Sequence, residues 1–341
     1  MHAVPGGQNP DWHADNPTNL AAFWDHKDFQ DRTIWLWKEI ASHYRGQPWI
    51  AGYNPLNEPA DPEHTRVSAF YDRVEVSIRE VDPDHILWFD GNTFAMDWRG
   101  FTRVLPNSVY SLHDYSSMGF PTGDRFKGTP QQLGQLEKQL RRKSEFMLTH
   151  KCPIWNGEFG PIYEDEGHEA SSTAGNDSAK VINDERIALL GAQLRLYKSQ
   201  QISWSIWLYK DIGLQGMVYT SPTSPWNRLV APFLEKKKQT EADAWGRAPS
   251  NEVDDVMKPL VDWINKHAPG VGTLYPPVWD TKRHLSRVIN EGLLSRVLTD
   301  EFAALFEGKS LAELTELAES FSFKACVQRE TLNNTLREFA H

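Results

Sequence analysis

Two short apolar runs that each stop on a glutamate constrain this chain more than any other feature. Residues 50–59 read IAGYNPLNEP and residues 153–160 read PIWNGEFG. Each run favours a buried strand, and each ends abruptly on an acid, Glu58 or Glu158. Pro59 has no N–H to give a sheet ladder, so it marks the exit from the first strand and leaves Glu58 at the sheet rim. In a parallel barrel the hundred residues between the two glutamates cover three strand-plus-helix units. Both acids would then emerge on one face, at the carboxyl ends of the strands.

The segments around these runs fit that reading. Apolar positions at helical spacing predict helices over 28–44, 63–81, 129–149, 178–199 and 226–239, with Thr129 as an N-cap. Between them lie strand-like runs at 86–89, 108–112, 153–156 and 202–208. The chain opens on a histidine before a Pro-Gly-Gly turn, which reads as the end of a strand whose beginning is missing. Alternating strands and helices imply a parallel sheet covered by helices. The expected architecture is a TIM (β/α)8-type barrel, N-terminally truncated to about six strands over residues 1–245. Residues 246–341 are expected to form a helical extension, with helices at 251–267, 281–306, 310–320 and 323–340 and no catalytic constellation.

Composition narrows the partner. A formal net charge of −10 argues against nucleic acid or an anionic membrane surface, and no apolar stretch has membrane-spanning length. Fourteen tryptophans offer flat faces on which sugar rings stack, although most such residues serve the core. Cys152 and Cys326 permit at most one disulfide, and paired Cys or His metal-ligand spacing is absent. No leader is visible at Met1, so the chain as written reads as cytoplasmic; a truncated N-terminus would leave secretion open. The sequons at Asn176 and Asn333 are short enough to arise by chance.

Paired carboxyl groups about 5 to 5.5 Å apart are what retaining cleavage of a glycosidic bond requires. Glu58 and Glu158 are candidates for that pair, and His2, His113, Tyr115 and Trp207 also fall at strand ends. In this combination the chain resembles glycoside hydrolase family 5, the retaining, cellulase-like family of (β/α)8 barrels, over about residues 1–240. The resemblance implies Asn57-Glu58-Pro59 as the strand-4 motif, with Glu58 the general acid/base and Asn57 a donor to the sugar 2-hydroxyl. It implies His113-Asp114-Tyr115 as the strand-6 motif, with Tyr115 bonded to the nucleophile, and Glu158 as that nucleophile. Trp207 matches the sugar platform of strand 8, with Trp204 as the other register, and His2 matches the histidine of strand 3. The substrate implied is a β-linked oligo- or polysaccharide or glycoside, and no cofactor is called for.

One departure from the family pattern is an arginine of strand 2 that helps keep the nucleophile ionised. Strand 2 is missing here, so Glu158 is expected to hold its proton more tightly. While Glu158 is ionised, its charge should raise Glu58, which is expected to stay protonated as the acid. Two other readings compete: a catalytically impaired carbohydrate-binding remnant, and a metal hydrolase using His2, His13 and His113. Substrate choice and endo or exo action are expected to lie in the loops 12–25, 93–100, 116–128 and 164–177.

Overall fold

The alternation of short apolar runs with amphipathic segments folds into a five-stranded parallel sheet. A computed structural model describes residues 1–164, 178–242, 245–246 and 249–340. The helix α1 (Lys27–Tyr44) leads into β1 (Gly52–Tyr53), α2 (Arg66–Arg79) and β2 (Ile86–Asp90). The short turn α3 (Asn92–Ala95) precedes β3 (Ser108–His113), followed by α4 (Pro130–His150), β4 (Ile154–Glu158), α5 (Ala179–Ser199) and β5 (Ser203–Trp204). The strands lie side by side in chain order and all run parallel. This is the building rule of a TIM barrel.

The expected N-terminal stub adds no sixth ladder. It runs beside the segment that follows β1, where the Met1 carbonyl accepts from the Asn57 N–H at 2.9 Å and the α-amino group donates to the Asn54 and Pro55 carbonyls. Gln8 ties the same stretch down, donating from Nε2 to the carbonyls of His2 (2.7 Å) and Asn57 (2.9 Å).

Period-two alternation sets the core. Leu87, Phe89, Tyr110 and Leu112 are buried and belong to one cluster with Tyr71, Val74 and Ile78 of α2 and with Trp98, Phe101 and Phe146. Burying rings of this size is the main favourable term holding sheet to helices. On the opposite face Trp88 and Trp155 meet edge to face at 6.2 Å and remain half-buried.

Two expectations for the C-terminal part are corrected. The segment 323–340 is not one helix: β8 (Cys326–Gln328) pairs antiparallel with β7 (Val218–Thr220), which itself runs parallel to β6 (Lys210–Asp211), and only then does α11 (Glu330–Phe339) begin. Arg329 makes the switch, its backbone N–H bonding the Met217 carbonyl at 3.0 Å and its Nε the Gly216 carbonyl at 3.1 Å. The segment 281–306 is interrupted as well. Between α8 (Thr281–Val288) and α9 (Ser295–Ala304), residues Ile289–Leu294 widen into a π-turn that contains Gly292. The helices α6 (Pro225–Thr240), α7 (Asn251–His267) and α10 (Leu311–Glu319) complete this part. Leu332 and Leu336 of α11 lie within the main core cluster.

Candidate active site

A register shift delivers Glu158 to the site. Ser111 pairs with Trp155 and Leu112 with Asn156, but His113 pairs with Glu158, so Gly157 is an extra residue on β4. Strict alternation after Trp155 would send Glu158 to the helix-facing side; the bulge turns it to the face that carries His113. Only glycine fits as the extra residue. A Cβ there would lie 2.8 Å from Ser111 Oγ and 3.1 Å from His113 Nε2.

Glu58 is held differently. It has a left-handed backbone, φ 49°, which is costly for a residue with a Cβ and persists only when neighbours clamp it. The clamp is visible: the Glu58 N–H donates to Asp90 Oδ2 at 3.0 Å, and the Glu58 carbonyl accepts from Asn9 Nδ2 at 2.9 Å. Asp90, at the end of β2, also accepts from Asn54 Nδ2 at 3.0 Å.

The two carboxylates meet. Glu58, His113 and Glu158 each present an atom within 4.8 Å of the others. His113 Nδ1 stands between them, 2.6 Å from Glu58 Oε1 and 3.7 Å from Glu158 Oε2. Tyr115 donates its hydroxyl to Glu158 Oε2 at 3.0 Å. From the loop before α1, His13 Nε2 reaches Glu58 Oε2 at 3.1 Å. The same nitrogen lies 2.9 Å from Asn9 Nδ2, so it serves Glu58 as an N–H and Asn9 as a lone pair, never both at once.

A buried lysine fixes the backbone around His113. Lys143 of α4 is fully buried and donates from Nζ to the His113 carbonyl and to Asp114 Oδ1, both at 2.9 Å. Asp114 Oδ2 accepts from the Tyr197 hydroxyl at 2.9 Å, and its carbonyl accepts from Gln193 at 2.7 Å. Each charge in this small network is paired and hydrogen-bonded, as burial demands.

Electrostatics divide the carboxyls. Burial works to raise Glu58, but hydrogen bonds and positive charge from His113 and His13 outweigh it and hold its carboxyl well below the usual range. Burial pushes Glu158 up to about 7, aided by the charges of Glu58 and Asp90 against the pull of His113 and Tyr115. For His113 burial opposes the charge, yet Glu158, Glu58 and Asp90 raise it to about 9. These directions give Glu158 the higher proton affinity of the pair, the reverse of the order expected from the sequence. The cause is the pair of imidazoles that Glu58 holds and Glu158 does not.

The remaining sequence candidates spread around this centre. The His2 ring lies 5.6 Å from that of Trp207, and Trp207 is half-buried with its backbone N–H on the Phe159 carbonyl. Trp204 packs edge-on against Phe159 as part of the core. Asn57 is buried beside Met1 and Gln8 through its backbone. His13 and His113 both direct a ring nitrogen at Glu58, whereas His2 sits against Trp207, so the three histidines do not converge as a ligand set. Among the described residues, the trio Glu58, His113 and Glu158 is close enough to share a cation. Asn9 and Asp90, which clamp Glu58, were not singled out from sequence; Asp90 closes a strand-like run, which is the one signal that could have found it. Of the loops expected to shape substrate choice, residues 165–177 and the sequon at Asn176 lie outside the described residues.

An α/β fold with paired carboxyls and a histidine at parallel strand ends defines the glycosidase class of site. The chain belongs to the cellulase family, glycosyl hydrolase family 5, whose model matches residues 3–213. It is 46% identical over 346 residues to a beta-xylosidase of Phanerodontia chrysosporium, covering 100% of this chain and 71% of that protein. It is 20% identical over 278 residues to endoglucanase C of Acetivibrio thermocellus, covering 70% and 74%. Among solved structures, an endoglucanase from Thermotoga maritima matches with a TM-score of 0.44 at 22% identity, over 55% of this chain and 61% of that one.

Proposed function

We propose that this glycosyl hydrolase cleaves β-glycosides with retention, with Glu158 as nucleophile and Glu58 as general acid/base. The observation that carries the reading is the approach of the two carboxylates within 4.8 Å. That separation suits direct attack on the anomeric carbon and leaves no room for the intervening water of an inverting enzyme.

In the first step Glu158 attacks the anomeric carbon, the glycosidic C–O bond breaks, and the leaving oxygen takes the proton of Glu58. A glycosyl ester on Glu158 results. In the second, Glu58 as carboxylate takes a proton from water while the water oxygen attacks the same carbon, and Glu158 leaves as carboxylate. The competent state needs one proton on the carboxyl pair, which is the number the resting site already holds below about pH 7. What must change is its location. A sugar hydroxyl donated to Glu158 favours the ionised form there, and a glycosidic oxygen beside Glu58, which can only accept, favours the protonated form of that carboxyl. Asn57 and Tyr115 are the polar contacts for the reacting sugar, and Trp207 with His2 supplies its stacking surface.

The substrate class is a β-linked glucoside, glucan or related glycoside, and the beta-xylosidase relative brings a β-xyloside within it. Incubation with 2-deoxy-2-fluoro β-glucosyl and β-xylosyl fluorides tests both the mechanism and the sugar. The expected result is a sugar adduct on the peptide containing Glu158, formed faster by the preferred configuration. Turnover of the parent glycosides with no adduct on Glu158 would overturn the assignment of the nucleophile.

A further inference from the structure

We propose that α8 is a structural arm of the active site: Arg283 and Arg287 position the loop 9–16 so that His13 stays seated on Glu58. The proposal rests on the glycosidase reading only for what Glu58 does; the seating itself is independent of it.

The loop has little regular structure of its own. Trp12–Ala14 form a single 3-10 turn, capped where Asp11 accepts from the Trp12 N–H at 2.6 Å. Two arginines one helical turn apart grip it from the side. Arg283 places Nη2 3.2 and 3.0 Å from the two Asp11 oxygens, while its Nη1 pairs with Glu291. Arg287, almost wholly buried, donates from Nε to the Pro10 carbonyl at 3.0 Å and from Nη2 to the Asn16 carbonyl. A guanidinium fork is suited to this, because several donors in one plane fix an orientation as well as a distance.

A second route converges on the same imidazole. The Arg283 guanidinium lies 4.9 Å over the Trp279 ring, Trp279 stacks on Phe94 at 6.2 Å, and Phe94 meets the His13 ring edge-on at 6.1 Å. Tyr275 secures the Phe94 turn through a 2.9 Å hydroxyl contact to Thr93 Oγ1. Residues 275–291 therefore hold His13 from its backbone side through Asp11 and from its ring side through Phe94. None of them touches the reacting carboxylates, so they are positioning residues.

The electrostatic sign separates this role from ordinary packing. Burial lowers the affinity of His13 for a proton, but the hydrogen bond and charge of Glu58 raise it overall, with Asp11 and Glu158 adding. The charged groups facing it are Glu58, Asp11, Glu158 and His2, with Arg283 and Glu291 behind Asp11. Removing the cationic Arg283 would by direct Coulomb action raise His13 further. Losing the seat on Glu58 would lower it.

The test is an NMR titration of the histidine rings in the whole chain and in Arg283→Met, Arg283→Lys and Trp279→Leu. The expected result is that His13 titrates above the free imidazole value of about 6.5 in the parent and moves down toward it in Arg283→Met and Trp279→Leu. Arg283→Lys should recover part of the shift. His113, held between the glutamates, should keep its raised titration and so certify that each variant is folded. In parallel, the pH profile of kcat/KM for an unactivated β-glycoside should shift in Arg283→Met, because Glu58 loses the His13 hydrogen bond that lowers its affinity for the acid proton. A His13 titration that stays put or rises in folded Arg283→Met overturns the proposal and leaves the glycosidase reading untouched. The expected His13 shifts in a chain that Glu158→Gln leaves fully active would uphold the seating and sink that reading instead.

Discussion

Glu58, in the loop beyond β1, and Glu158, the last residue of β4, are the same residue type, and burial and neighbours together give them opposite proton affinities. Glu58 takes two imidazoles and Glu158 takes a tyrosine hydroxyl. If Glu158 is the nucleophile, Glu158→Gln removes it outright and turnover of every glycoside should fall below detection. Glu58→Ala should still release an activated aryl group in a burst, because such a leaving group needs no proton. Equal and severe loss of that burst in both variants would contradict the roles. The pair must also keep one shared proton, so kcat/KM should decline as pH rises through about 7, where Glu158 gives its proton up. A pH profile that climbs from 6 to 8 would show that the titrating proton is not the one required. The glutamates and His113 were legible in the sequence because an acid or imidazole ending an apolar run is unusual. Asn9, Asp90 and the resting place of the proton were not, since each depends on which loops lie across the strand ends.

At the scale of the element, the helices were the most readable part. Thr129 caps α4 as expected, with Gln132 closing the reciprocal pair and Pro130 at the first turn, all local signals. The β4 bulge had no such signal: Gly157 in Asn-Gly-Glu reads as a turn residue, and only pairing with β3 makes it an extra residue in a ladder. Gly157→Ala should push Ser111 and His113 aside, costing roughly 1–3 kcal/mol in stability. Urea unfolding would measure that loss, and kcat should fall with it because Glu158 and His113 share the displaced rung. Unchanged kcat in Gly157→Ala would mean that the bulge does not set the glutamate. The strand β8 was illegible for a related reason, since Cys326–Gln328 carries no alternation and becomes a strand only because β7 offers an open edge.

At the scale of the whole chain, the C-terminal part is tied to the sheet layer at both of its ends. Asp11 and Pro10 hold α8, and Leu332 and Leu336 place α11 in the main core. Leu336→Ala should therefore destabilise the entire molecule by about 2–5 kcal/mol, as a truncation in a shared core does. Denaturant curves followed by tryptophan fluorescence and by far-ultraviolet dichroism should shift together; a shift confined to one probe would show that α11 melts alone. The sequence marks this region as helices packed on the barrel but not where they attach, because long-range contacts leave no periodic trace. The lysine buried beneath His113 bears on how the protein should fail. Its ammonium hangs the imidazole's own carbonyl from α4, and α4 cannot loosen without parting that ammonium from the buried Asp114 carboxylate. Heating should accordingly abolish hydrolysis and ordered helix at one and the same temperature, with no interval in which an intact shell surrounds a disarmed centre.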